Sequence, residues 1–385
     1  MRITTFAATK NDITTALSSG ATQLILEDPK LSIRCYAPHT SPDFSTLCKL
    51  ADHARHIQPD IELSVNCDIL AHERHFSLLE TFLETLPKAG LKTIRIQDPG
   101  LQPLIKNRLP KATLHLATET GNQNLESIQY YANLFARQTL SNELPSSEIK
   151  KIKSPVEIQV QGPILIQYST RRFMAGHYNT ETSSRKLAQA HEYPGRSFVF
   201  YDNPHGHFMY LYFDKCLLKS IPELISLNLE SWLIDARGES PEYLQKSIQF
   251  YKEAYENTDT WQATPAIETL ESLSGRPQKP GFFKVNKTDQ QRRKLTLPEN
   301  NIHVGTVIDT INGKNITLEV HHPFTVKTPL ELISPEGKTR STTITTLQNL
   351  WGDTLNEAIP GTLIQLNWQK GAQVKSKLVS SPPTP

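Results

Sequence analysis

A chain of 385 residues exceeds one average domain, so a single large barrel with an appendage, or two to three domains, would accommodate it. Its hydrophobic fraction of 37% is somewhat low and its 26 prolines are many, which indicates abundant loops or a Pro-rich linker and excludes disorder throughout. A formal net charge of +2 excludes a chain that binds polyanions over its whole surface and leaves that role to local basic stretches.

The opening MRITTFAATKNDITTALSSG lacks the apolar core of a secretory signal, and no apolar run is long enough to span a bilayer. A soluble cytoplasmic protein without a membrane role is expected. From residue 1 to 258, short β-rich runs (TQLILED, IELSVNC, KTIRIQD, TLHLAT, NLFARQ, VEIQVQG, ESWLIDA) alternate with helical stretches such as HERHFSLLETFLETLPKAG and KSIPELISLNL. Ser41-Pro42-Asp43 and Ser240-Pro241-Glu242 each offer an N-cap hydroxyl, a proline at the first helical position and an acid in the first turn. After the second, Leu244, Ile248, Tyr251 and Tyr255 share one helical face.

Repeated βα units require parallel strands and right-handed crossovers, which leaves a doubly wound sheet or a (β/α) barrel. No Gly-x-Gly-x-x-Gly follows the first strand, and polar residues recur where strands end: Glu27-Asp28, Asn66, Asp98, Thr118-Glu119 and Asp235. A TIM-like (β/α) barrel over residues 1–258 is therefore expected, with those residues on one rim. Helix capping or turn formation accounts equally well for any one of them.

Residues 259–300 change texture and read as a Pro-rich, basic linker packing on the barrel. In it Lys279, Lys284, Lys287, Arg292, Arg293 and Lys294 are interleaved with Phe282 and Phe283, a composition suited to phosphate contact and base stacking. Lys284, Lys287, Arg292, Arg293 and Lys294 are the RNA-binding candidates, against the competing reading of a solvated tether. Over residues 301–380 the period becomes that of strands. Hairpins are expected around Asn312-Gly313 and Pro335-Glu336-Gly337, with GTLIQLNWQ as a further strand. Five or six antiparallel strands in so short a stretch make a small β-barrel, closed or nearly so, and residues 381–385 are expected to be a disordered tail.

The four cysteines, Cys35, Cys48, Cys67 and Cys216, are scattered without a Cys-x-x-Cys pair, so they offer neither a zinc ribbon nor a redox motif. A peptidase reading also lacks machinery, because there is no Gly-x-Ser-x-Gly, no His-Glu-x-x-His and no assignable Cys/His couple. His72 and His75 in HERH, and Asp202, His205 and His207 in DNPHGH, read as surface polar residues and a hairpin turn.

The succession SIRCYA, IQDPGL, LHLATETGNQN, VEIQVQG, DKCLLKSIPELISLNLESWLIDARGESPEY and PGFF resembles the collagenase-like peptidase family, U32, over residues 1 to about 285. The final barrel resembles the small domain carried by the tRNA-modifying branch of that family. In iron–sulfur members, the strand matching VEIQVQG leads to cysteines that hold a cluster, a task for soft thiolates on converging loops. Here Gln161 stands at the histidine position, Leu165 and Arg172 stand at cysteine positions, and Cys216 remains, so the resemblance implies no metal or cofactor in this chain. Gly162, Ser169 and Arg171 are kept, while Asn142 and Leu211 replace a usual arginine and serine.

The resemblance offers Glu143, Asp214, Asp235 and Arg237 as catalytic candidates, with structural ion pairing as the equal alternative. Arg34, Asn66, Asp98, Thr118, Glu119 and Arg171 are the substrate-binding candidates. Some members work in pairs, one chain bearing the cluster and a related chain lacking its cysteines. The resemblance thus implies a cluster-free subunit in tRNA wobble-uridine 5-hydroxylation, partnered by a cysteine-bearing homologous subunit, with tRNA as ligand. The alternatives are a collagenase-like peptidase and a non-enzymatic RNA- or protein-binding relative.

Overall fold

The computed structural model describes residues 1–36, 43–117, 122–174, 185–189, 197–284 and 302–380. The candidates Thr118, Glu119, Lys287, Arg292, Arg293 and Lys294, the Ser41-Pro42 pair and the tail 381–385 lie outside the described residues. The chain forms two compact units, Met1–Asp289 and Gln290–Pro385.

In the first unit, strands β1 (Ile3–Ala7), β2 (Gln23–Leu26), β3 (Glu62–Cys67), β4 (Thr93–Ile96), β5 (Thr113–Ala117), β6 (Arg137–Thr139) and β7 (Val156–Ser169) pair in sequence order, all parallel. Two more antiparallel strands, β8 (Lys186–Gln189) and β9 (Ser197–Asn203), and β10 (Gly206–Cys216) precede β11 (Ser231–Ile234). β11 pairs in parallel with both β1 and β7, so eight parallel strands close a TIM-type barrel. Helices α1 (Lys10–Ser19), α2 (Ser45–Ile57), α3 (Phe76–Lys88), α4 (Leu101–Arg108), α5 (Leu125–Ala132), α6 (Ser146–Ile149), α7 (Ile221–Ser226) and α8 (Pro241–Glu256) fall between or after the barrel strands, as the alternation predicts.

The helix starts show the local chemistry. Thr9 and Asp12 form a reciprocal capping box at α1, and Ser240 Oγ accepts the Tyr243 backbone N–H at α8. On α8, Leu244, Ile248 and Tyr251 are buried as expected, whereas Tyr255 is partly exposed, 5.9 Å from the Trp232 ring.

β7 is long enough to belong both to the barrel and to an arm that extends the same sheet. Its first half closes the barrel, and its second half pairs antiparallel with β10, which carries β9 and then β8 as an arm. Gly162 marks the exit: its φ is +118°, and a Cβ there would stand 2.0 Å from the Asp235 carbonyl oxygen. Only glycine allows the strand to pass so close to the end of β11.

Residues 259–284, expected within a linker, are instead structured. Helix α9 (Ala263–Ser274) buries Ala266 and Leu270, four residues apart, and strand β12 (Gln278–Lys279) pairs with β10. Phe283, expected to be available for stacking, is fully buried in the core of the unit. Pro265 masks the helix in the sequence, but it lies in the first turn, where its missing N–H costs no intrahelical bond.

The second unit is one antiparallel sheet: β13 (Ile302–Ile311), β14 (Asn315–Val320), β15 (Leu330–Ile333), β16 (Thr339–Thr342), β17 (Leu347–Gln348), β18 (Leu363–Asn367) and β19 (Lys377–Ser380), in the order β16-β15-β19-β13-β14-β18-β17. Both expected hairpins are present, with Gly313 and Gly337 at positive φ in the turns. β19, which the sequence reading did not anticipate, lies between β13 and β15 and brings Leu378 into the core with Val307, Ile316, Leu318 and Leu366.

Candidate functional site

At the C-terminal ends of the barrel strands, Arg237 organises a buried charge cluster. It grips Asp235 with two bonds, Nε to Oδ1 at 2.9 Å and Nη2 to Oδ2 at 2.6 Å, and reaches Glu27 Oε1 through Nη1 at 3.0 Å. Its guanidinium lies 3.6 Å from the centroid of the Phe6 ring. Asn66 Nδ2 donates to the same Glu27 oxygen at 3.2 Å, and Arg34 Nη1 stands 3.5 Å from Asp235 Oδ2. Four sequence candidates, Arg34, Asn66, Asp235 and Arg237, thus meet in one place, and Glu27, named only as a rim residue, joins them. Burial would raise the Asp235 carboxyl, but the Arg237 charge overcomes this and holds it far below the usual range. Glu27 is the second acid on one cation. Burial, only partly opposed by Arg237, pushes it up to about 7.

A second network begins where β7 leaves the barrel. Gln161 donates to Tyr243 Oη at 2.7 Å and to Gln278 Oε1 at 2.6 Å, and Tyr243 donates to Asp214 Oδ2 at 3.0 Å. Asp214 accepts two bonds from Arg276, at 3.0 and 2.9 Å, and Arg276 shares Glu239 Oε1 with Arg185, at 2.9 and 3.0 Å respectively. Asp214 is thus held in the interior by α8, β12 and the residues preceding β12, in a different network from Asp235 and Arg237.

The remaining candidates are dispersed. Glu143 is exposed, and its carboxylate accepts from Gln123 at 3.3 Å. Asp98 accepts the backbone N–H groups of Gly100 and Ala71, the turn-capping role weighed against a functional one. Arg171 and Arg172 are exposed, and the Arg171 N–H donates to Ser169 Oγ. Lys284 pairs with Glu223 at the surface. Leu165 packs against the core of the unit, and Cys216 is buried, its thiol pushed up to about 11 mainly by burial. Among the described residues no group of three or more His, Cys, Asp or Glu side chains is placed to hold a metal ion.

Two features escaped the sequence reading. Asp202 and His207, expected at the surface of a hairpin turn, are buried, with His207 Nδ1 at 2.5 Å from Asp202 Oδ1 and the imidazole stacked on Phe200. The turn itself lies between β9 and β10, so the residues flanking it point back into the arm. Lys215 is fully buried, its Nζ donating to Asn142 Oδ1 at 3.0 Å, and burial pushes its ammonium down to about 7. Its neighbours Asp214 and Cys216 drew attention; alternation along β10 gives no sign that the lysine between them also turns inward.

The family model for Peptidase family U32 matches residues 8–293. The chain is 24% identical over 294 residues to tRNA hydroxylation protein P2 of Bacillus subtilis (strain 168), covering 71% of this chain and 94% of that one. It is 23% identical over 326 residues to tRNA hydroxylation protein P1 of the same organism, covering 77% and 76% respectively. It is 22% identical over 326 residues to tRNA hydroxylation protein P of Escherichia coli (strain K12), covering 68% and 72%. Among solved structures, the U32 peptidase Mk0906 aligns over 63% of this chain and 94% of its own with a TM-score of 0.39 and 11% identity.

Proposed function

Because the chain belongs to peptidase family U32, and relatives aligned over most of its length are named for tRNA hydroxylation, we propose that it is a cluster-free subunit in 5-hydroxylation of the tRNA wobble uridine. The similarity to those relatives carries the reading. Bacillus subtilis has two of them, P1 and P2, which favours a system of related subunits; the partner here would be a cysteine-bearing homologue supplying an iron–sulfur cluster.

Support for the absence of a cluster in this chain comes from the donor set where the family resemblance puts ligands. Gln161 spends its amide on Tyr243 and Gln278, Leu165 is a partly buried apolar side chain packed against the core and Arg172 is a solvent-exposed cation. Cys216 alone offers sulfur there, in a site that favours the neutral thiol. Such a set does not fit a cluster that needs several thiolates. The contribution of this chain is then to position RNA and partner, with the Glu27–Asp235–Arg237 cluster as the rim that faces the ligand. Deleting the gene and measuring 5-hydroxyuridine-derived nucleosides in total tRNA by mass spectrometry tests the proposal. Loss of the modification, restored by the wild-type gene, is expected, and an unchanged level overturns it.

A further inference from the structure

The end of the barrel opposite the Glu27–Asp235–Arg237 cluster is where the parallel strands begin. There the order β4, β5, β6, β7 sets the segments that enter these strands side by side. Backbone bonds tie them together, from the Thr113 N–H to the Lys92 carbonyl, from Ala136 to Leu114 and from Gln138 to Pro155. Lys92 leads into β4, Lys111 into β5, and Lys150, Lys151 and Lys153 into β7; all five are exposed. Neighbouring strands lie about 4.8 Å apart, so the four entry points span an arc of about 15 Å.

Lys151 pairs with Glu148, but Lys92, Lys111, Lys150 and Lys153 make no ion pair among the described residues. On the other half of the same end, Glu230 is held by Arg2 and Arg137, and Glu62 by Arg137. The chain's net charge of +2 thus conceals a face on which cations are gathered without compensation. An aromatic side chain stands among them. Tyr130, in the last turn of α5 before β6, is 65% exposed, and Leu134 beyond it is 37% exposed. The Tyr130 ring meets Tyr131 edge-on with centroids 5.6 Å apart, and Tyr131 meets the buried Phe135 at 6.0 Å, so the exposed ring is braced by the core.

Spaced lysines suit a phosphate backbone, and an exposed, braced ring suits a base stacked on it. The centre of a protein interface is apolar and depleted of charge, whereas here two apolar side chains stand among four unpaired cations. We propose that this face binds the phosphate backbone of RNA without regard to sequence, with Lys92, Lys111, Lys150 and Lys153 on phosphates and Tyr130 under one unstacked base. It lies at the opposite end of the barrel from the rim assigned above, and it rests on the tRNA reading only for the choice of RNA over DNA.

The test measures binding of a fluorescently labelled RNA stem-loop to the full chain by anisotropy over a series of potassium chloride concentrations. Each phosphate contact contributes just under about one unit to the slope of log K against log salt. Changing Lys92, Lys111, Lys150 and Lys153 together to Gln is expected to lower that slope by about 3 and to weaken binding at least about tenfold near 0.1 M salt. The same change at Lys10, Lys219, Lys252 and Lys327, exposed elsewhere, alters net charge equally and is expected to lower the slope by less than about 1. Tyr130→Ala is expected to weaken binding roughly tenfold and to leave the slope unchanged. All these side chains are exposed, so their substitution leaves folding intact.

A slope that survives the quadruple change, or one that the control change lowers as much, overturns the proposal. So does a quadruple variant that keeps RNA but no longer binds poly-L-glutamate, which would give the face to an acidic protein. The two readings fail separately. If gene deletion removes the tRNA modification while RNA binding does not depend on these lysines, the face alone is lost; if the slope behaves as expected and the modification persists without the gene, only the hydroxylation role is lost.

Discussion

The barrel unit buries Arg34, Arg95, Arg137, Arg237 and Lys215 together with Glu27, Glu157, Asp214 and Asp235, whereas the buried polar side chains described in the second unit, Gln369, Ser376 and Ser380, are uncharged. The sheet gains its core from Val304, Val307, Ile316, Leu318, Leu366 and Leu378, with no ion to desolvate. Taking a charge out of water costs several kcal/mol, and well-packed apolar side chains often serve stability as well or better. A chain able to build the second unit did not need ions to stabilise the first. The difference separates a unit organised around packing from one in which charges are held at fixed positions, as a site for a polar ligand requires.

Four substitutions break or sharpen this contrast. Arg237→Met should have the largest effect, because it leaves the Asp235 and Glu27 carboxylates buried without their cation; a loss of about 3–5 kcal/mol is expected in urea unfolding followed for the barrel transition. In the sheet, Leu378→Ala creates a cavity and should lower the other transition by about 3 kcal/mol, with no dependence on pH.

Lys215→Met should go the other way. The folded state lowers the lysine from 10.5 to about 7, so its protonation opposes folding increasingly as pH falls toward 7. The variant should melt higher than the wild type at about pH 6, and calorimetry should find that advantage shrinking as pH rises toward 10, where the unfolded lysine also loses its proton. Advantage growing with pH instead would contradict the burial of this amine. The smallest effect belongs to Arg108→Ala: its pair with Glu80 is half exposed on both sides, and a change under about 1 kcal/mol, further reduced by salt, is expected.

The periodic features were legible. Alternating βα units revealed the barrel, Asn312-Gly313 revealed a hairpin, and the polar residues at strand ends revealed a rim where Glu27, Asn66 and Asp235 do meet, joined by Arg237. What local pattern cannot report is the distant partner. Asp214 was offered by the family resemblance as a catalytic candidate with ion pairing as the alternative, and its ion-pair partner is Arg276, which holds it with two bonds from a segment read as a linker. His207 looked like turn chemistry because its burial depends on Phe173 and Phe200, one of them on a different part of the chain. β19 is a short run whose strand character comes from lying between β13 and β15. Glu143 shows the opposite limit: family position suggested a role, yet its side chain lies apart from both networks.

The closure of the barrel also sets a timetable. β1, made first, has β2 on one side, and its other edge waits for Trp232, Leu233 and Ile234. During synthesis at roughly 5–20 residues per second, that edge stays unpaired on the order of ten to fifty seconds, while the whole arm emerges before β11. A nascent chain held that long with an open, apolar strand edge is exposed to pairing with other chains. The step most sensitive to crowding or slowed translation is therefore the last one, when β11 slides between the two strands that have been waiting for it.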